Sequence, residues 1–137
     1  MLVDSNELRD NAIAALSSSL FFWYFILSTN CRDLNPSDLK GFGLDLMAIG
    51  PKSSATLSRL SQRLMADYKA NSVMKEKVSA QTGNIKYQEF YPRLSKPIID
   101  EIDELLAKHY GFTEEELDFI INYDIKYRMG DQLNAGE

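Results

Sequence analysis

Apolar residues recur at helical spacing from Leu8 to Leu27 in the first part of the chain. Asp4 and Glu7 precede them with the spacing of a capping box, in which two side chains bond the open N–H groups at a helix start. The pattern predicts one long helix ending near Leu27. Its last part, LFFWYFIL from residue 20 to residue 27, is apolar all round, so we expect this end to be buried on every side.

Two further helices are predicted in the middle of the chain. Asn35-Pro36 supplies a capping residue and a proline for the first turn of a short helix, which Gly41 or Gly43 should end. Gly50-Pro51 then opens a second long helix. One face of this helix carries its apolar side chains, which are Leu57, Leu60, Leu64 and Tyr68.

A β-hairpin is predicted between the helical parts. Residues 74–80 and 85–91 each alternate weakly between apolar and polar side chains, and the turn-forming segment 81–84 separates them. Two alternating runs joined by a short turn containing glycine are typical of a hairpin.

Two helices are predicted after the hairpin. Ser95 can cap the first, which stops at Gly111. Thr113 and Glu116 form a capping box for the second. Residues 131–137 are expected to fray.

These elements predict an α+β fold that is mainly α, a helical domain of about five helices with one β-hairpin near residues 74–91. The domain is predicted to occupy residues 1–130, because 137 residues suffice for one compact domain with a core and are too few for two. The predicted core consists of Trp23, Leu27, Leu57, Leu64, Ile98, Ile102, Leu105 and Ile120.

The amino-acid composition restricts the class of protein and the compartment in which it is expected. Hydrophobic residues make up 45% of the chain and charged residues 26%, which is typical of a soluble globular protein. One cysteine and one histidine can form neither an internal disulfide nor a Cys/His zinc site. A membrane-spanning helix needs about 20 apolar residues, whereas the most apolar run of this chain, residues 20–27, has eight. We therefore expect a cytoplasmic protein with no membrane contact and no metal.

No catalytic constellation is visible. His109 lies near the end of an amphipathic helix, where it can serve as a weak cap. The acidic cluster from Asp100 to Glu104 is expected to point to water, because Ile98, Ile102 and Leu105 take the inner face. No Gly-rich phosphate loop is present. We predict no catalytic residue and no cofactor-binding residue on this chain.

Charge is distributed unevenly, although the net charge is -5. Residues 51–86 contain seven basic and two acidic residues, whereas residues 94–124 contain nine acidic and two basic ones. The local sign of the charge decides what a surface can bind. The basic segment is therefore a candidate DNA-binding surface, and an ordinary solvated face is the alternative.

Two stretches resemble the C-terminal, target-recognition region of adenine-specific DNA methyltransferases, including single-chain type II restriction-modification enzymes of the IIG kind. The first is residues 17–44, SSSLFFWYFILSTNCRDLNPSDLKGFGL. The second, more specific, is residues 91–130, YPRLSKPIIDEIDELLAKHYGFTEEELDFIINYDIKYRMG. Together they cover about half of the chain.

The catalytic motifs of that family are missing here. Its Asn-Pro-Pro-Tyr type motif has no counterpart, since Ser37 and Asp38 follow Asn35-Pro36, and its S-adenosylmethionine loop is absent too. The resemblance therefore implies a non-catalytic part of a larger bacterial enzyme. That parent enzyme would use S-adenosylmethionine, with or without a restriction endonuclease activity, while this chain would bind none.

A methyltransferase must extrude its target base, so the rest of the enzyme has to grip and read the DNA. The resemblance implies that this chain contacts double-stranded DNA and the catalytic domain of the parent enzyme. We predict one basic surface that meets the DNA backbone, with Tyr87 beside it; its cations are Arg59, Arg63, Lys69, Lys75, Lys77 and Lys86. The alternative is a helical interaction module that packs on the methyltransferase or nuclease domain without touching DNA.

Overall fold

The first apolar stretch forms two helices with a sharp bend between them, where the sequence predicted one helix. Helix α1 spans Asn6–Leu16 and helix α2 spans Ser19–Ser28, and the two are bent by 61° at the break. Ser18 stabilises the break, because its hydroxyl accepts the N–H of Phe21 (3.0 Å) and donates to the carbonyl of Ala15 (2.6 Å). A hydroxyl that bonds the backbone in this way competes with helix continuation.

The computed structural model describes residues 5–81 and 83–123. The predicted α+β, mainly α fold is confirmed, with six α-helices and one two-stranded antiparallel hairpin in these residues. The remaining elements are α3 (Pro36–Phe42), α4 (Pro51–Ala70), β1 (Val73–Ser79), β2 (Gly83–Glu89), α5 (Lys96–Tyr110) and α6 (Glu114–Asn122), with 3₁₀ turns at Leu46–Ala48 and Pro92–Ser95. The count is six helices because the first predicted helix is divided in two.

Most helix ends follow the predicted signals. Gly43 and Gly111 end α3 and α5 in the left-handed conformation, with φ of 67° and 74°. Thr113 and Glu116 form the predicted capping box of α6. The start of α1 differs, because the capping side chain is that of Ser5. Asp4 and the predicted frayed tail lie outside the described residues.

The core lies where α1, α4, α5, α6 and the start of α2 meet. Five predicted core residues are buried there, which are Leu57, Leu64, Ile98, Ile102 and Ile120. Trp23 and Leu105 are partly buried against this cluster. Leu60 and Leu106 complete the contact between α4 and α5.

Helix α2 is buried at its start alone, so the prediction that it is buried on every side is wrong. Leu20 and Phe21 are buried, whereas Phe22 is 43% and Leu27 is 57% exposed. The helix runs along the edge of the core, and Trp23 reaches α6 through a perpendicular contact with Phe119. An apolar run indicates a helix that can be buried, but the neighbours available decide how much of it is.

The loop between the hairpin and α5 returns the chain to α4. Ser95 occupies the predicted capping position of α5, but its hydroxyl donates to the carboxylate of Asp67 on α4. At the base of the hairpin, the ring of Phe90 contacts the ring of Tyr68 on α4. These contacts place the base of the hairpin beside the C-terminal end of α4.

Candidate nucleic-acid interface

The hairpin presents both of its faces to solvent. Every strand residue with a described side chain is exposed except Ser79 and Glu89, which are intermediate. The two strands pack chiefly on each other. A two-stranded ribbon that is open on both sides can enter a concave partner such as a nucleic-acid groove, because the DNA major groove admits such a ribbon.

The register divides the predicted cations of the hairpin between its two faces. Lys75 pairs with Tyr87 and Lys77 is two residues further along β1, so these side chains share one face. Lys86 pairs with Glu76 and lies on the opposite face. The expected single basic surface is therefore not formed, because consecutive residues of a strand point to opposite sides.

Lys75 is paired within the hairpin. Its ammonium group contacts the carboxylate of Glu89, which also accepts a hydrogen bond of 2.7 Å from the hydroxyl of Tyr91. The hydrogen bond with Glu89 raises the pKa of Lys75, and the same contact lowers the pKa of Glu89. Lys75 is thus less available to a phosphate than Lys77, which has no ion-pair partner within residues 5–81 and 83–123.

Arg63 points from α4 toward the acidic helix α5. Both terminal nitrogens of its guanidinium donate to the carboxylate of Glu101, at 3.0 Å each. The fork of hydrogen bonds to Glu101 raises the pKa of Arg63. The basic and acidic segments are therefore in contact at this ion pair.

Arg59 and Lys69 are the two predicted cations of α4 that stay available. Arg59 donates to the hydroxyl of Thr56 at 3.3 Å, and Lys69 is exposed near the base of the hairpin. Neither forms an ion pair in the described part of the chain. Tyr87 is 42% exposed on the hairpin face that carries Lys75. Whether these residues contact DNA stays a prediction.

Sequence reasoning missed a polar layer between α1 and α4. The buried carboxylate of Asp10 accepts hydrogen bonds from Gln62 (2.9 Å) and Ser58 (3.1 Å). The bond from Gln62 is the main cause of the lowered pKa of Asp10. One turn before Ser58 on α4, the hydroxyl of Ser54 accepts a hydrogen bond of 2.7 Å from the side-chain amide of Asn11. The spacing of these serines along α4, beside the apolar face, was the signal available in the sequence.

Asp103 differs from the prediction that the acidic cluster of α5 points to water, because its side chain is buried. It is 2% exposed, and its carboxylate accepts the N–H groups of Ser19 (3.2 Å) and Leu20 (3.1 Å) at the start of α2. Burial raises its pKa to about 6. Its neighbours Glu101 and Glu104 are exposed, as predicted. The role of Asp103 is to hold the start of α2 against α5.

Comparisons with known protein families, with curated proteins and with solved structures found no match. The described residues contain no group of three or more histidine, cysteine or carboxylate side chains placed to hold a metal ion. Among them, no single helix is long and apolar enough to cross a membrane; α1 and α2 together pass that test by length and composition, as a pair bent by 61°.

Proposed function

We propose that this chain is a non-catalytic, DNA-contacting module of a bacterial adenine-specific DNA methyltransferase, and that the hairpin makes the contact. The observation that carries the proposal is the exposure of both hairpin faces, with a cation on each. The catalytic domain and S-adenosylmethionine would belong to the rest of the parent enzyme. The sequence resemblance supports the class of enzyme, and the exposure of the hairpin supports its choice as the element that contacts DNA.

The dimensions of a two-stranded ribbon suit the major groove. Neighbouring strands lie about 4.8 Å apart, and stacked sheets pack about 10 Å apart face to face, a spacing that indicates the thickness of one sheet with its side chains. The major groove is about 12 Å wide. A hairpin that enters tip first therefore brings its two faces against the two phosphate backbones that line the groove.

Lys77 and Lys86 are placed for contacts with both backbones. Lys77 pairs with Ile85, and Lys86 pairs with the residue before Lys77, so the two cations lie at nearly the same height on opposite faces. The division that rules out a single basic surface thus becomes useful for a ribbon held between two walls. Phosphate contacts of this kind position a protein without reading the sequence.

The test is to measure the affinity of the 137-residue chain for mixed-sequence duplex DNA by fluorescence anisotropy. Salt would be varied between roughly 50 and 200 mM, because the release of counterions makes phosphate contacts steeply salt-dependent. We expect Lys77→Gln and Lys86→Gln each to weaken binding and to lower the salt slope by about one unit per lost contact.

Lys108→Gln is the matched control, because Lys108 is an exposed lysine on the acidic helix α5. This change should leave both affinity and slope unaltered. If the wild-type chain binds DNA with no salt dependence, or if all three variants weaken binding equally, the hairpin is not the DNA contact.

A second candidate function is a module that packs on another domain of the same enzyme. Exposed apolar side chains on α2 and in the segment after it favour this candidate, with Leu27 57%, Leu34 49% and Met47 78% exposed. Leu27→Ser should then weaken association with the separately produced methyltransferase domain of the parent enzyme. Lys77→Gln should leave that association unchanged.

A further inference from the structure

An apolar groove of about 530 Å³ opens where the bend between α1 and α2 faces α4, α5 and α6. Its walls are mainly aromatic and aliphatic, formed by Phe21, Phe22, Phe25, Tyr68, Ile99 and Ile121. Cavities of 300–1,000 Å³ with such walls and a few polar groups are typical of sites for small molecules. The groove is separate from the two open faces of the hairpin.

Two cationic side chains line the groove, and they differ in whether an acidic side chain pairs with them in the described part of the chain. Lys96 lines the groove, but its ammonium group donates to Asp100 at 2.7 Å and to the carbonyl of Ile121 at 3.3 Å. Arg93 also lines the groove, is exposed, and has no ion-pair partner in the described parts of the chain. Among residues 5–81 and 83–123, the guanidinium of Arg93 is therefore a positive charge without an acidic partner at an apolar cavity.

We propose that this groove binds a small ligand with an apolar body and one carboxylate group. The apolar body would cover the exposed ring of Phe22 and the partly buried ring of Phe25. The carboxylate would pair with the guanidinium of Arg93, which offers two parallel N–H donors to such a group. The hydroxyl of Ser17, also on the groove wall, is a further donor for the same carboxylate.

The charge requirement is tested by calorimetry of the wild-type chain with decanoate and with decanol, which share the apolar chain and differ in the charged group. We expect decanoate to bind more tightly than decanol. Arg93→Gln should weaken decanoate binding about tenfold, since hydrogen bonds to charged groups are among the stronger ones. Binding of decanol should be unaffected by this change.

The location is tested with two exposed apolar residues of the same helix. Phe22 is 43% exposed and lines the groove, whereas Leu27 is 57% exposed and does not line it. Phe22→Ala should weaken the binding of both decanoate and decanol, and Leu27→Ala should change neither. Circular dichroism of each variant would show that the fold is kept.

Several results would overturn the proposal. Absence of decanoate binding to the wild-type chain would remove the site. Equal binding of decanol and decanoate, or unchanged decanoate binding in Arg93→Gln, would remove the carboxylate requirement. Equal effects of Phe22→Ala and Leu27→Ala would place any binding outside the groove.

Discussion

At the scale of single residues, Asp103 joins two elements that the sequence does not connect. Its carboxylate replaces the missing acceptors for the first N–H groups of α2, which lie more than 80 residues away along the chain, at separations of 83 and 84. The arrangement buries a carboxyl group, and burial favours its neutral form. Stability and pH are therefore linked at this position.

We predict that Asp103 makes the protein less stable as the pH rises from about 4 to about 6. The pKa is about 6 in the folded protein and 3.8 ordinarily, so between these values the folded state holds a proton that the unfolded state has lost. The difference corresponds to roughly 3 kcal/mol at most. Above about pH 6 both states are ionised at this residue, and the effect levels off.

The measurement is urea unfolding of the wild type and of Asp103→Asn at several pH values. Comparison with the variant isolates this residue, because all other titrating groups are shared. The stability of the wild type relative to the variant should fall with rising pH in that window. Glu104→Gln, at an exposed site on the same helix, should show no such trend. A wild-type-to-variant difference that is constant with pH would contradict the prediction.

At the scale of elements, the hairpin is coupled weakly to the rest of the molecule. Its strands pack chiefly on each other, and their side chains are largely exposed. An isolated two-stranded hairpin is only marginally stable in water. We therefore expect this hairpin to open locally while the helices stay folded.

Gly83→Ala tests this independence. Gly83 has a φ of 71°, where an alanine is strained by about 1–2 kcal/mol. No atom lies near a Cβ placed there, so the effect comes from backbone strain alone. Amide hydrogen exchange in β1 and β2 should accelerate severalfold, whereas the melting temperature and exchange in α4 should change little.

Gly111→Ala is the matched control for the hairpin variant. Gly111 has a φ of 74° and equally open surroundings, but it ends the core helix α5. The same strain should here lower the melting temperature. Equal melting temperatures for the two variants would show that the hairpin is part of the cooperative unit.

The sequence predicts the secondary-structure elements better than the tertiary contacts that they make. The capping box at Thr113 and the glycines after α3 and α5 were identified because each is decided within a few residues. The break at Ser18 was missed, because the apolar pattern continues across it and the decisive acceptor, Asp103, is distant in sequence. The partners of Arg63 and Lys75 were missed for the same reason, since charge counts do not show which opposite charge lies nearby.

At the scale of the whole molecule, stability depends on the cluster between α1, α4, α5 and α6. Leu64 is fully buried in it, and Leu27 lies outside it. We predict that Leu64→Ala lowers the free energy of unfolding by about 2–5 kcal/mol, as typical for a buried leucine. Leu27→Ala should change it by less than about 1 kcal/mol, since surface substitutions have small effects.

Thermal or urea unfolding of the two leucine variants provides the comparison. Both changes delete the same atoms from a helix, so the difference between them reports burial. A loss for Leu27→Ala as large as that for Leu64→Ala would mean that the exposed end of α2 is covered in solution, for example by self-association. Repeating the measurement at several protein concentrations would identify that case.

The polar layer between α1 and α4 limits how these helices can be aligned. Apolar surfaces alone tolerate sliding, because one leucine can replace another as a neighbour. A shift of α1 by one helical turn, about 5.4 Å, would break the hydrogen bonds that the carboxylate of Asp10 accepts from Ser58 and Gln62 on α4. Its bonds from Arg9, the preceding residue of α1, do not depend on the alignment of the two helices. Misaligned packings thus lose the hydrogen bonds that cross from α4 to Asp10, so the polar layer favours the native register of this pair of helices.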